Sequence, residues 1–329
     1  MKRVMISIVV PAHNESSGIA RILRAITTGF PQEQLDVVVV CNGCTDGTAN
    51  TARRFGSAVR VIETDVASKV HALNLGDQVA RSFPRVYIDA DVVITADAIR
   101  ALTNRLEQGD VLAVAPTPNI NVAGCSRFVR AYFGIRSCLP SSRQGIGGSG
   151  IYALSEAGRK RFGDFPKLIA DDVYVRVQFQ PQERETLARV TSIVFAPRTL
   201  KQLIAVRARA HYGILELADR FPMLFKKNID DGNLRTIIAL LRKPTLWPGM
   251  LVYFYVNTTA KSWARIWRRA GIFVWRRDDT SRVAIGTWSD RLVEGDILRH
   301  AKPVRIDQMP DNRFGHGFDP THPSGTSGR

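Results

Sequence analysis

Apolar runs of three to six residues alternate with amphipathic stretches over the first 115 residues of the chain. The first helical pattern begins near Ile19, and the runs lie at 5–10, 37–40, 59–63, 86–88 and 111–115. Short β-rich runs separated by helical stretches are typical of a mostly parallel sheet with helices on both faces. We therefore predict an α/β domain whose central sheet is built from this part of the chain.

Polar residues cluster directly after three of these runs. Residues 13–15 follow the first run, residues 42–48 follow the second, and Asp89 and Asp91 follow the fourth. Open α/β sheets bind ligands at the carboxyl ends of their strands, and hard divalent cations prefer carboxylate oxygens. Asp89 and Asp91 therefore indicate a Mg²⁺ or Mn²⁺ site facing a substrate diphosphate, although acids also end many strands simply as turn formers.

The polar motifs together resemble those of glycosyltransferase family 2, a group of inverting enzymes with a GT-A fold. The resemblance rests on Val9-Val10-Pro11-Ala12-His13-Asn14-Glu15, Asn42-Gly43-Cys44-Thr45-Asp46-Gly47-Thr48, Lys69 with Ala72-Leu73-Asn74-Leu75-Gly76, and Asp89-Ala90-Asp91. Further along, Gly147-Gly148-Ser149-Gly150 is similar to the acceptor-side glycine loop of the family, and Ala170-Asp171-Asp172 to its acidic pair.

This resemblance implies a metal-dependent enzyme that moves a sugar from a nucleoside diphosphate sugar, with a UDP-sugar favoured. The implied acceptor is a lipid-linked or growing glycan in cell-envelope or exopolysaccharide synthesis. Contacts to the nucleotide are implied for Pro11, Ala12, His13, Asn14, Glu15, Asn42, Asp46, Lys69, Asn74, Asp89 and Ala90. Contacts to the acceptor or sugar are implied for Gly147, Gly148, Ser149 and Arg209.

Two departures from the family pattern affect these expectations. Cys41 stands where the family commonly has an Asp that contacts the base, which leaves the identity of the nucleotide open. The later Q-x-x-R-W element is reduced to residues 207–213, where Arg209 and Gly213 remain but the Gln and the Trp are missing.

Two pairs of acids and one histidine are the candidates for chemistry. Asp91 is the expected direct metal ligand, with Asp89 on the ribose or reaching the metal through water. Asp172 is the expected general base because an inverting displacement needs a carboxylate opposite the leaving group, and Asp171 is its neighbour. The alternative for this pair is a helix N-cap. His211 is a further candidate metal ligand, and its alternative is a structural role.

The formal net charge of +16 is concentrated in the second half of the chain. Residues 198–277 contain 16 Lys and Arg against four acidic residues, a net charge of +12. Four cysteines, with no second C-x-x-C pair beside Cys41 and Cys44, fit a reducing cytosol and argue against a disulfide framework. The N-terminal apolar run is broken by Pro11 and lacks a cleavage site, so we expect no signal peptide.

The basic region also contains four of the five tryptophans, Trp247, Trp263, Trp267 and Trp275. Its apolar run at 247–256 is too short to span a bilayer, which needs about 20 residues. Around 261–269, aromatic and aliphatic residues recur at spacings of three and four among basic ones, as in a helix that lies on an anionic membrane surface. The alternatives are an amphipathic helix packed on the catalytic domain and a nucleic-acid site, and we expect no nucleic acid because no nucleic-acid module is recognised.

These observations predict three regions. A GT-A catalytic domain covers 1–215, with a nucleotide-binding half at 1–115 and an acceptor-binding half at 116–215. A basic, Trp-rich helical region at 216–290 associates with the membrane, and 291–329 is a flexible tail. The expected location is the cytoplasm, peripherally on the inner face of the cell membrane. Two other functions stay open, a sugar-1-phosphate nucleotidyltransferase and a noncatalytic basic protein that binds membrane or nucleic acid.

Overall fold

Seven strands form one sheet with the order β3-β2-β1-β4-β6-β5-β7. The computed structural model describes residues 5–228 and 233–271. The strands are β1 (Ile6–Ala12), β2 (Leu35–Asn42), β3 (Val59–Thr64), β4 (Arg85–Ile88), β5 (Ala113–Asn121), β6 (Ile151–Leu154) and β7 (Arg184–Phe195). Strands β1 to β4 are mutually parallel and β5 is parallel to β7, whereas β6 runs antiparallel to both of its neighbours.

Helices connect the strands and then continue beyond the last one. They are α1 (Ile19–Gly29), α2 (Thr48–Arg53), α3 (Lys69–Val79), α4 (Ala96–Glu107), α5 (Arg127–Arg136), α6 (Glu156–Arg159), α7 (Asp171–Val177), α8 (Leu200–Arg220), α9 (Pro222–Asn228), α10 (Leu234–Leu241) and α11 (Trp247–Arg269). The predicted α/β class with a mostly parallel sheet is confirmed.

All five predicted runs contain strands, and two of these strands continue through prolines. Strand β1 continues through Pro11 to Ala12, and β5 continues to Asn121 in spite of Pro116 and Pro118. Proline lacks the N–H that a ladder needs, so it is tolerated where one side of a strand has no partner. Past Val114, β6 no longer pairs with β5, and only β7 remains beside it.

Alternating side chains of the buried strands supply two separate cores. Ile8 and Val10 pack in one cluster with Leu23 of α1, whereas Val9, between them in sequence, packs in another with Leu73 of α3. Successive side chains of a strand point to opposite faces, so a strand buried on both faces is apolar at every position. This confirms the predicted placement of helices on both sides of the sheet.

Helix α5 and the helices after β7 form a layer of their own. In this layer Tyr132 of α5 stacks on Tyr253 of α11 with ring centroids 5.4 Å apart, and Val256 is fully buried beside Leu203 of α8. The apolar run at 247–256 and the amphipathic stretch at 261–269 belong to one continuous helix, α11. Pro248 does not interrupt it because the first turn of a helix needs no N–H donor.

The predicted domain boundaries cut through regular structure. The boundary at 215 falls inside α8, and the one at 115 falls inside β5. Within the described residues, α11 packs on the rest of the protein with one face, as in the alternative interpretation of this region. No helix in the described ranges is long and apolar enough to cross a membrane. Trp275, residues 272–290 and the predicted tail at 291–329 lie outside the described residues.

Gly76 sets how closely α3 approaches the sheet. A Cβ at this position would lie 2.4 Å from Val9 Cγ1 and 3.3 Å from Val40 Cγ2, both fully buried. Only the absence of a side chain allows this contact. The depth at which α3 packs also fixes the height of its first residue, Lys69, above the strand ends.

We expect Gly76→Ala to lower the free energy of unfolding by about 1–3 kcal/mol, because an overpacked core has to shift. Urea denaturation gives the value. The matched control is Gly163→Ala, since Gly163 is exposed and an added Cβ there meets nothing within 4 Å. Equal stability of the two variants would show that α3 is not constrained at Gly76.

Candidate functional site

The polar motifs meet where the order of the sheet reverses. Strands β1 and β4 are neighbours, and the chain proceeds from β1 to β2 and β3 on one side before it returns to β4 on the other. Ligands of open α/β sheets bind in the crevice outside the strand ends at such a point. The pocket here is lined by Pro11 after β1, Asp89 after β4, Lys69, Gly147, Gly150, Tyr152, Asp171 and Asp172.

Lys69 links the two acidic motifs. Its Nζ lies 2.8 Å from Asp89 Oδ1 and 3.1 Å from Asp171 Oδ2. Burial disfavours the ammonium, but the charges of Asp171, Asp89 and Asp172 outweigh that effect and raise the pKa of Lys69 well above its usual value. Lys69 therefore carries a fixed positive charge. It is the first residue of α3, whose N-cap Ser68 accepts a hydrogen bond from His71 N.

The Asp91 carboxyl is buried near charges of both signs. Burial and the charge of Asp89 raise the pKa of the Asp91 carboxyl, and Lys69 and Arg209 oppose the rise. Arg21 of α1 is close enough to interact with Asp91. Burial lowers the pKa of Arg21, and the negative charge of Asp91 opposes that shift. Arg21 cannot be identified from the sequence, since it falls outside the apolar stripe of α1 and carries no local signal.

Two adjacent carboxylates fit a divalent cation that is shared with a substrate. The like charges of Asp89 and Asp91 repel, and a cation between them would relieve that repulsion. Within the described ranges no group of three or more His, Cys, Asp or Glu is arranged to hold a metal. Mg²⁺ commonly binds through one or two carboxylates plus substrate phosphates and water, so two carboxylates are sufficient for such a site.

The acidic pair occupies the first two positions of α7. Asp171 is 5% exposed, and burial raises its pKa to about 6 against the opposing charge of Lys69, with Asp172 and Asp89 adding to the rise. Asp172 is partly exposed, and its Oδ1 accepts a hydrogen bond from Val173 N at 2.8 Å. The N-cap position belongs to Ala170, so the N-cap alternative does not describe either acid.

The loops after β1 and β2 hold each other through side chains that were predicted to contact nucleotide. Asn14, at a positive φ of 53°, accepts a hydrogen bond from Thr45 N at 2.7 Å. Asp46 accepts from Ser16 N at 3.1 Å and from Thr48 N at 3.0 Å. These hydrogen bonds outweigh burial and lower the pKa of Asp46.

The remaining residues of the two loops make similar contacts. His13 Nδ1 lies 2.6 Å from Asn42 O, and Glu15, 6% exposed, donates its N–H to Thr48 Oγ1 at 2.7 Å. With its amide oriented to satisfy its neighbours, Asn42 donates to Ala12 O at 2.8 Å. The loops are therefore fixed before any ligand binds.

The glycine loop packs directly on Asp89. Gly150 has a φ of +66°, its O accepts from Asp89 N at 2.9 Å, and an added Cβ would lie 2.3 Å from Val92 Cγ2. Gly147, at a φ of +95°, faces Val173 of α7, and an added Cβ at Gly148 would lie 3.0 Å from Gln144 O. Gly150 thus belongs to the site, although the sequence analysis did not assign it a contact.

Several side chains that were predicted to contact a ligand instead contact other parts of the protein. Asn74 donates to Phe165 O at 3.0 Å and accepts from Phe165 N at 2.8 Å, so its amide holds that loop rather than a nucleotide. Ser149 is fully buried, and its hydroxyl lies within hydrogen-bond distance of Gly145 O and Ile151 O, so it bonds to the backbone and not to an acceptor. The side chains of Ala90 and Cys41 belong to the core, and burial, with Cys44 beside it, raises the pKa of the Cys41 thiol to about 12.

Arg209 and His211 lie on opposite sides of α8. The positive charge of Arg209 opposes the rise in the pKa of Asp91. On the other side, burial and the charges of Arg207, Lys261 and Arg136 lower the pKa of His211 to about 4. Two residues of a helix that are two positions apart are separated by about 200° around its axis. The structure therefore does not bring His211 to Asp89 and Asp91, and its predicted role as a metal ligand is not supported.

Residues 7–146 match the family model described as Glycosyl transferase family 2. The 4,4'-diaponeurosporenoate glycosyltransferase of Staphylococcus aureus is 34% identical over 119 residues, which cover 34% of this chain and 31% of that protein. The chain thus spans about a third of the length of the curated relatives it matches. The resemblance predicted from the motifs is confirmed by the family model.

Solved structures share the fold. The mannosyltransferase PcManGT from Pyrobaculum calidifontis, in complex with GDP-Man and Mn²⁺, has a TM-score of 0.54 and 21% identity over 89% of this chain and 81% of that chain. The glucosyl-3-phosphoglycerate synthase from Mycobacterium tuberculosis, in complex with Mn²⁺, UDP-Glc and phosphoglyceric acid, has a TM-score of 0.50 and 19% identity over 70% and 82%. These similarities confirm the predicted GT-A fold.

Proposed function

Residues 7–146 belong to glycosyltransferase family 2, and from this premise we propose that the chain is an inverting glycosyltransferase that uses a nucleoside diphosphate sugar. A UDP-sugar is the favoured donor, with Mn²⁺ or Mg²⁺ as the metal. The observation that carries the proposal is the pairing of Lys69 with both Asp89 and Asp171 at the ligand-binding edge of the sheet. The complexes of GDP-Man and of UDP-Glc with Mn²⁺ on the same fold support this donor class.

The donor side of the site is suited to a departing diphosphate. Asp89 and Asp91 would hold the divalent cation, which when bound neutralises part of the diphosphate charge. Arg209 and Arg21 place further positive charge beside Asp91. Groups that are already oriented toward the charge developing on a leaving group stabilise it without reorganisation.

The acceptor side places Asp172 as the general base. It lines the same pocket as Asp89 and is more exposed than Asp171. Asp172 would take the proton of the acceptor hydroxyl while that oxygen attacks the anomeric carbon and the sugar–phosphate bond breaks. Asp171 is tied to Lys69 and positions this corner of the pocket.

Nucleotide binding should need both the metal and Asp91. In calorimetry with UDP and Mn²⁺, we expect Asp91→Asn to weaken binding by about tenfold or more, since it removes a ligand of the main positive charge of the site. Asp97→Asn is the control because the Asp97 side chain is 93% exposed on α4. Unchanged affinity of the wild type in EDTA would contradict the metal assignment.

Replacing Asp172 should lower the rate of sugar transfer but leave donor binding unchanged. We expect Asp172→Asn to keep UDP affinity while transfer to acceptor falls by roughly a hundredfold, because the amide keeps the shape but cannot accept the proton. Asp164→Asn, at an exposed position, is the control. Full activity of Asp172→Asn together with loss in Asp171→Asn would move the base to Asp171, and a product with retained anomeric configuration would rule out a single displacement.

The outer face of α10 and α11 suggests where the enzyme works. Its exposed apolar side chains are Leu234, Ile238, Leu241, Trp247, Leu251, Phe254, Tyr255 and Ile266. Trp247 joins the two helices, because its Nε1 donates to Leu241 O at 2.9 Å. The sequence from 233 to 271 contains seven Lys and Arg and no Asp or Glu.

A surface that combines apolar, aromatic and basic side chains suits the interface of an anionic membrane. The proposed location is therefore the cytoplasmic face of the cell membrane, with α11 lying on the surface. A lipid-linked or growing glycan acceptor would be available there. Arg268 is not part of this contact, since it pairs with Asp219 of α8.

Membrane binding should have an electrostatic contribution from the basic side chains of α11 and an apolar contribution from its exposed hydrophobic side chains. We expect Arg265→Glu/Arg269→Glu to release the protein from phosphatidylcholine vesicles with roughly one-third phosphatidylserine, because each basic residue near such a surface contributes about 1 kcal/mol. Leu251→Ser should weaken the binding that remains at high salt. Vesicle flotation measures both effects.

The matched control is Arg24→Glu/Arg54→Glu, which changes the charge equally on the exposed surface of the catalytic domain. If the two double variants lose vesicle binding to the same extent, α11 is not the docking surface. Transfer to a water-soluble acceptor should survive in both of them.

A further inference from the structure

Three helices bring together basic side chains that no acid balances. Arg136 lies on α5, Arg207 and His211 lie one turn apart on α8, and Lys261 lies on α11. The charges of Arg207, Lys261 and Arg136 all act on His211, and Arg207 also acts on Arg136. Within the described part of the chain, none of the four forms a salt bridge.

Some polar atoms of this cluster are buried without a partner. Arg207 Nε and His211 Nε2 are inaccessible to water and make no hydrogen bond within the described residues. An unsatisfied buried polar group is destabilising, and more so if it is charged. Burial and repulsion together also lower the pKa of Arg136. The arrangement is therefore unfavourable unless an anion completes it.

The cluster is open to solvent at one end. Lys261 is exposed, whereas Arg136 and Arg207 are partly buried. Tyr132 lies one turn before Arg136 on α5, Tyr253 lies two turns before Lys261 on α11, and the two rings stack on each other. A ligand would contact Lys261 and the accessible parts of Arg136 and Arg207.

We propose that Arg136, Arg207, His211 and Lys261 form a binding site for a phosphate-type anion, separate from the donor site. Guanidinium groups bind phosphate through paired hydrogen bonds, and His211, which also contacts Asn257, lines the site as a neutral ring. Three permanent cations favour a phosphomonoester or a diphosphate over a single carboxylate, which would leave two charges unbalanced. The anion is either a free phosphate compound or the headgroup of a lipid.

The site lies on the side of α8 opposite Arg209, which acts on Asp91. An α-helix with its side chains is about 10 Å across, so this anion is not the leaving diphosphate. The inference therefore does not depend on sugar transfer. It assigns a function to His211, whose position excludes it from the metal site.

The test is thermal denaturation in EDTA with inorganic pyrophosphate, compared with NaCl of equal ionic strength. The wild type should gain stability, and Arg136→Gln/Arg207→Gln should weaken the apparent affinity by at least about tenfold, because two charge-assisted contacts are lost. Arg24→Gln/Arg54→Gln should respond like the wild type. No gain in the wild type, or equal gains in both double variants, would overturn the proposal.

Two further measurements separate folding and ligand source from binding. Without anion, Arg136→Gln/Arg207→Gln should be at least as stable as the wild type, since it removes repulsion between buried cations. If it fails to fold, Lys261→Gln, at an exposed position, replaces it. Binding of UDP with Mn²⁺ should be unchanged, so failure of the donor site and failure of this site are distinguishable.

Vesicles identify the source of the phosphate. A preference for phosphatidic acid over phosphatidylserine at equal surface charge, lost in Arg136→Gln/Arg207→Gln but kept in Arg24→Gln/Arg54→Gln, would support a lipid headgroup. Arginine-dependent pyrophosphate binding without that preference would support a water-soluble phosphate compound.

Discussion

The shared ion pair of Lys69 organises the site. One ammonium neutralises Asp89 at the end of β4 and Asp171 at the start of α7, two segments that are 82 positions apart in the sequence. Without this charge, two partly desolvated carboxylates would repel each other across the pocket. Its position depends on the close packing of α3 at Gly76.

The order and type of the early elements could be predicted because they follow from local patterns. The strand runs, the carboxylates after β4 and the loops at 13–15 and 42–48 all lie where the sequence places them. The roles of Asn74 and Ser149 could not be predicted, since their partners are backbone groups brought close only by folding. Arg21 could not be predicted either, because only folding brings it near the Asp91 carboxylate.

Helix α8 shows a different limit of sequence reasoning. Arg207, Arg209 and His211 form one motif along the chain, yet the helix directs Arg209 toward Asp91 and the other two toward α5 and α11. A motif on a helix therefore contains residues for two different surfaces. Side chains three or four positions apart share a face of the helix, whereas side chains two positions apart do not, although they are closer in sequence.

The backbone bond between Asp89 and Gly150 has a thermodynamic consequence. Because Gly150 O accepts from Asp89 N, a shift of the glycine loop would displace Asp89 as well. A molecule that shifts this loop on one side of the pocket changes the affinity on the other side. Such coupling is reciprocal, so each of two ligands linked through this loop would alter the dissociation constant of the other by the same factor.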